Sequence, residues 1–182
     1  MRPRTALASL VTVTTIALGL VATTTPAMAG ALDVTCLPPS SQTATFSPPL
    51  TLTPGPATVT ASTQYGPCTS ATVPGLTSGA RNATIPYPSV SCLDLLNSAP
   101  LSFTITWNTG QQSTISGSTT VTTVGAGLVV TITGSVTAGL FAGDSVVQTI
   151  TGPSIAVTLC TLGLGSVSSI FALVTLAITS VP

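Results

Sequence analysis

The side chains able to do chemistry are few enough to take one by one. The chain of 182 residues has three acidic and three basic side chains and no histidine. The acids are Asp33, Asp94 and Asp144, the bases are Arg2, Arg4 and Arg81, and neither Glu nor Lys occurs. A serine triad would lack its imidazole base. Glycoside hydrolysis needs two carboxyls flanking one bond, whereas these aspartates fall near residue 33, in a loop and at a strand start. Their spacing has nothing of a D-x-D-x-D calcium loop. The inventory predicts no catalytic residues, no cofactor-binding residues and no metal ligands, so the protein reads as a non-enzyme with no cofactor.

Cysteine is the remaining reactive type, at Cys36, Cys68, Cys92 and Cys160. Zinc is disfavoured because no pair has C-x-x-C spacing and histidine is missing. An even number in an exported chain predicts two disulfides, for which three connectivities are open. The favoured pairing is Cys36–Cys68 with Cys92–Cys160. It ties the N-terminal segment to the first hairpin and a mid-chain loop to the penultimate strand.

The polar-tipped aromatics are Tyr65, Tyr87 and Trp107. A sugar platform would need two or three of them coplanar on an exposed face. In LSFTITWN, however, Leu101, Phe103, Ile105 and Trp107 alternate with Ser102, Thr104, Thr106 and Asn108. Trp107 is therefore expected as a core anchor, with Asn108-Thr109-Gly110 as the turn that ends its strand. The loop AGLFAGD (138–144) is apolar for a loop, so Leu140 and Phe141 either plug one end of the fold or form a patch for a partner. Leu140, Phe141, Tyr65 and Tyr87 are the candidate interaction residues.

These residues need a scaffold, and export sets its context. Arg2 and Arg4 precede an uncharged apolar stretch, and Ala27-Met28-Ala29 is an A-x-A site, so residues 1–29 read as a secretory signal peptide and 30–182 as one domain. The exported part keeps Arg81 against three aspartates. No basic cluster remains for nucleic acid or anionic membrane. Leu159–Val181 is uncharged, but its alternation and glycines favour a strand over a membrane span.

Strands are expected near 43–53, 57–64, 101–108, 113–124, 128–136, 144–151, 154–160 and 170–178. Residues 66–100 read as loop-rich, with short strands near 82–87 and a helical turn at 91–98. About seven to nine strands with frequent turn residues suggest an all-β fold, an Ig-like or Greek-key β-sandwich, with Trp107 between its two sheets. Repeated T-x-T pairs such as Thr58/Thr60, Thr104/Thr106 and Thr131/Thr133 lack the constant period of an ice-binding ladder. They read as a polar, strand-favouring outer face.

The blocks TFSPPLTLTPGPATVT, TITWNTGQQSTIS and GSVTAGLFAGDSVVQTIT, followed by a cysteine-bearing strand, resemble a family of small secreted Thr-rich, Ig-like β proteins of actinobacteria such as streptomycetes. The resemblance runs through nearly all of the exported chain. It implies export, a β-sandwich and disulfides, and carries no catalytic or binding residues. The function expected is a secreted, extracellular structural or protein-interaction module, such as an adaptor whose partner is another secreted or surface protein. A carbohydrate-binding module and a self-assembling surface protein are the alternatives.

Overall fold

The computed structural model describes residues 31–181, so the signal peptide expected at 1–29 lies outside the described residues. In chain order the strands are β1 (Leu32–Cys36), β2 (Ser41–Leu50), β3 (Gly55–Tyr65), β4 (Cys68–Ser70) and β5 (Gly79–Val90). After a 3-10 turn at Cys92–Leu96 come β6 (Pro100–Trp107), β7 (Gln112–Val124), β8 (Gly127–Gly139) and β9 (Ser145–Pro153). Helix α1 (Ile155–Thr161) and strand β10 (Val167–Thr179) follow.

The strands form one closed sheet, which corrects the expected two-sheet Ig-like or Greek-key sandwich. β2, β3, β5, β6, β7, β8, β9 and β10 are hydrogen-bonded antiparallel in that order, and β10 returns to β2. This is an eight-stranded up-and-down barrel. β1 takes over from β2 along the C-terminal half of β10, and β4 pairs with β1. Local alternation is the same in a sandwich and in a barrel; closure depends on which strand β10 meets. Glycine helps the wall to curve. Gly117 on β7 faces Gly134 on β8, and a Cβ on either would run into the neighbouring strand's carbonyl oxygen, of Thr133 or Ser116. Such glycines let barrel strands coil tightly.

Two local expectations also change. The strand expected at 154–160 is instead occupied by α1, Ile155–Thr161, with Ser154 as its N-cap. Val157 and Cys160, three residues apart, are buried together on the barrel end. The region 66–100 is more regular than its prolines suggest, because β5 runs for 12 residues through Pro86 and Pro88. Proline is tolerated in a strand only where no ladder bond is required, and positions two apart address the same edge. On β5 both prolines lie beyond Ala80, the last residue that pairs with β6. The two strands meet only at Gly79–Trp107 and Ala80–Thr106, while β7 and β8 pair from Ser113 to Val124 with a single register shift, between Thr114 and Ile115. The barrel has one open seam.

Each end of the barrel carries its own apolar cluster and its own disulfide. At one end Val34, Leu76, Ile105, Trp107, Leu176 and Ile178 pack with Cys36 and Cys68, which are bonded to each other across β1 and β4. At the other, Phe46, Leu50, Leu128, Val157 and Val167 pack around Cys92 and Cys160, and this second disulfide joins the 3-10 turn to α1. The favoured connectivity is the one present, although Cys160 lies on a helix. The bridges span 32 and 68 residues of sequence, so restricting the unfolded chain is worth about 4 kcal/mol apiece. Among the described residues no helix is long and apolar enough to cross a membrane.

Candidate functional site

Between the two clusters the barrel holds a partly open cavity of about 330 Å³. Every barrel strand contributes to its wall, and the reason for the space is visible in the residue types. Ala44 on β2, Ala61 on β3, Gly152 on β9 and Ala172 on β10 leave room where larger side chains would fill an eight-stranded interior. Leu101, Leu128, Val130, Ile132, Ile150 and Ile170 make most of the remaining surface apolar.

Across this apolar chamber runs a polar row. Gln42, Thr63 and Arg81 stand opposite one another on β2, β3 and β5, with the Thr63 hydroxyl donating to Gln42 Oε1 at 3.0 Å. Arg81 is the only basic side chain among the described residues. Its guanidinium carbon lies 4.1 Å from the centre of the Phe103 ring, a cation–π contact. Its Nε is buried and donates to nothing. Burial lowers its pKa, and the nearby Tyr65 acts in the opposite sense; guanidinium nevertheless stays charged. Thr119 on β7 adds a hydroxyl to the wall.

One inward position further along β3, Tyr65 is 1% exposed. Its hydroxyl donates to Gln148 Oε1 at 2.9 Å, while Gln148 Nε2 is buried without a partner. Burial pushes the Tyr65 phenol well above its ordinary pKa. The expectation that Tyr65 is available at the surface is therefore corrected. Its alternation with Thr63 and Ala61 points it into the barrel, and it cannot form an exposed platform with Tyr87. Tyr87 shares the inward face of β5 with Arg81 and Ile85. Tyr87 and Ile85 are still 41% and 43% exposed, because β6 does not cover them. They form the rim of the seam, and Tyr87 also lines the cavity.

Trp107 is 2% exposed and packs inside one closed sheet rather than between two sheets. Its indole N–H donates to Ser113 Oγ at 2.8 Å, and that hydroxyl donates to the Leu140 carbonyl at 2.7 Å. Leu140 and Phe141 are half-buried against the same cluster. Phe141 sits edge-on to Trp107 at 6.3 Å between ring centres. It has φ of +66°, a left-handed backbone that costs on the order of 1–3 kcal/mol and is held by surrounding packing. The two residues act as a plug. Asn108 does more than turn the chain: its Oδ1 accepts from the Thr77 and Ser78 N–H groups and its Nδ2 donates to the Gly75 carbonyl. It thereby clasps the 71–78 loop.

The aspartates do not gather. Asp94 accepts from the Ser91 N–H and hydroxyl at 2.8 and 2.9 Å, which holds its carboxyl below the usual range. Asp144 lies beside Asp33; burial, then the hydrogen bond and charge of Asp33, push its carboxyl up. Among the described residues no three His, Cys, Asp or Glu side chains cluster as metal ligands would.

The site residues missed from the sequence are Arg81, Gln42 and Thr119. For Arg81 a signal existed, since alternation puts it on the same face as Ala83 and Ile85. No protein-family profile, no curated protein and no solved structure matches this chain.

Proposed function

We propose that this protein is an exported, non-catalytic binding module that holds a small, largely apolar ligand inside its barrel. The observation that carries the reading is the 330 Å³ chamber lined from all eight barrel strands. Ligand sites are concave, mostly apolar and furnished with a few convergent polar groups, and barrel interiors are a common place for them. The two disulfides suit work in an oxidising compartment. The scarcity of nucleophiles and bases supports binding over turnover. Titration with Nile red tests this: a saturable rise in emission is expected, weakened by Ala61→Leu, which fills the chamber, and unchanged by the surface substitution Leu162→Ser. Folded protein that gives no saturable signal would sink the reading.

A second reading, the extracellular adaptor, draws on α1. Ile155, Leu159 and Leu162 recur at helical spacing and are 65%, 42% and 64% exposed, opposite the buried Val157 and Cys160. An apolar stripe left outside is a mark of protein contact. Crosslinking in culture medium tests it, with Leu159→Ser and Leu162→Ser expected to abolish a specific crosslinked product. The carbohydrate alternative is weakened by the burial of Tyr65 and Trp107.

A further inference from the structure

Resting on the reading of the chamber as a ligand site, we propose that its ligand is an aliphatic monoanion, a single carboxylate-type head on a hydrocarbon body, and that Arg81 receives the head.

The chamber holds one charge. Arg81 is half-buried with its Nε out of water, and a guanidinium partly withdrawn from solvent is costly unless something negative or hydrogen-bonding meets it. Arg81 has the face of Phe103 on one side and an Nε–H with no acceptor. No side-chain hydrogen bond to Arg81 occurs among the described residues. The aspartates are occupied elsewhere, Asp94 with Ser91 and Asp144 with Asp33. A carboxylate is the group that a guanidinium's planar fork of donors fits best.

The rest of the wall argues for the tail. Around Arg81 the cavity offers Ala61, Leu101, Val130, Ile132 and Ile150, which reward a hydrocarbon and offer nothing to a second charge. A sugar or an inorganic dianion would leave most of its polar groups without partners. A cation would face Arg81 directly. The seam supplies the way in: between Ala80 and Val90 the β6-facing edge of β5 is unpaired, and Ile85 and Tyr87 stand there as half-exposed apolar groups. An aliphatic chain can pass between them and reach the chamber without any ladder bond being broken.

The test is isothermal titration of the intact disulfide-bonded protein with decanoate, decyl sulfate, decanol, decyltrimethylammonium and acetate. Decanoate is expected to bind, decanol more weakly, and decyltrimethylammonium and acetate not measurably; decyl sulfate binding as well as decanoate would show that the head need only be a monoanion. A charge-assisted contact is worth a factor of roughly ten to a hundred. Arg81→Met should therefore weaken decanoate by about that factor while leaving decanol within about threefold. NMR of carboxyl-labelled decanoate supplies a readout independent of affinity: its carboxyl should titrate below the free acid's range when bound to the native protein. Equal affinity for decanoate and decanol, or an unchanged decanoate affinity in Arg81→Met, overturns the monoanion while leaving the chamber as a binding site. Folded protein that binds neither decanoate nor decanol overturns both.

Discussion

Adding a single methyl at Gly79 should cost about 1–3.5 kcal/mol, and the structure shows where the cost arises. An alanine Cβ there would lie 2.7 Å from Trp107 Cε3 and 2.9 Å from Ile105 Cγ2, closer than real Cβ atoms come. Trp107 has no free direction in which to retreat. Its N–H is held by Ser113, Phe141 stands against it edge-on, and Tyr65 lies 6.4 Å away between ring centres. Overpacking a tight core costs about 1–3 kcal/mol, and a strained indole–Ser113 hydrogen bond adds roughly 1 kcal/mol. Alanine returns about 0.5–1 kcal/mol through the unfolded chain's lost freedom. The loss should therefore win. Urea unfolding followed by far-UV circular dichroism measures it in every background, and the fluorescence of Trp107, the sole tryptophan, reports on the site in the variants that keep it. In a Trp107→Phe background, where the ring is smaller, the same Gly79→Ala change should cost less than half as much. A Gly79→Ala protein within 0.5 kcal/mol of wild type, or an undiminished cost in the Trp107→Phe background, would refute the packing argument on the scale of ordinary surface changes.

The pH response follows from Asp144. Its carboxyl is raised above 3.8 in the folded state, so the folded protein binds more protons than the unfolded chain in the window just above that pH, and stability falls as pH rises through it. Asp144→Asn should remove that fall, melting higher than wild type at neutral pH and converging with it below pH 3.8; identical melting profiles would contradict a carboxyl raised by burial and by Asp33. Replacing Cys92 and Cys160 together by alanine should cost about 4 kcal/mol from chain entropy alone. The loss should concentrate at the α1 end, read as early hydrogen exchange in α1 with the Trp107 end still protected, and uniform loss of protection would count against two separately stapled ends.

Much of the wall was legible from residue order, and much of the site was not. LSFTITW alternates without interruption, and β6 buries Phe103, Ile105 and Trp107 accordingly. SIAVTLC reads as a strand from sequence because short apolar runs with β-branched residues do not separate strand from helix. The helical spacing of Ile155, Leu159 and Leu162 is present in the sequence, and the complementary buried pair, Val157 and Cys160, packs on the barrel end. Pro86 and Pro88 suggested loop because their tolerance depends on an edge with no partner, and that is a property of the whole sheet. The chamber was the least legible feature. It is missing side-chain volume contributed by Ala44, Ala61, Gly152 and Ala172 on four strands, and each of these is an unremarkable small residue until the barrel closes. Arg81 could have been suspected, as a lone charge on an otherwise apolar face.

The prolines of β5 have one more effect. A sheet edge with free N–H and C=O groups invites the same edge of another molecule, which is the route to fibrils. The seam would present that hazard along most of β5, in a chain with almost no charge to repel its neighbours. Pro86 and Pro88 remove two N–H donors from this strand, so a ladder built along β5 by another copy's strand would be broken. A gap in the wall is thereby left without a ready ladder for a neighbouring copy to join.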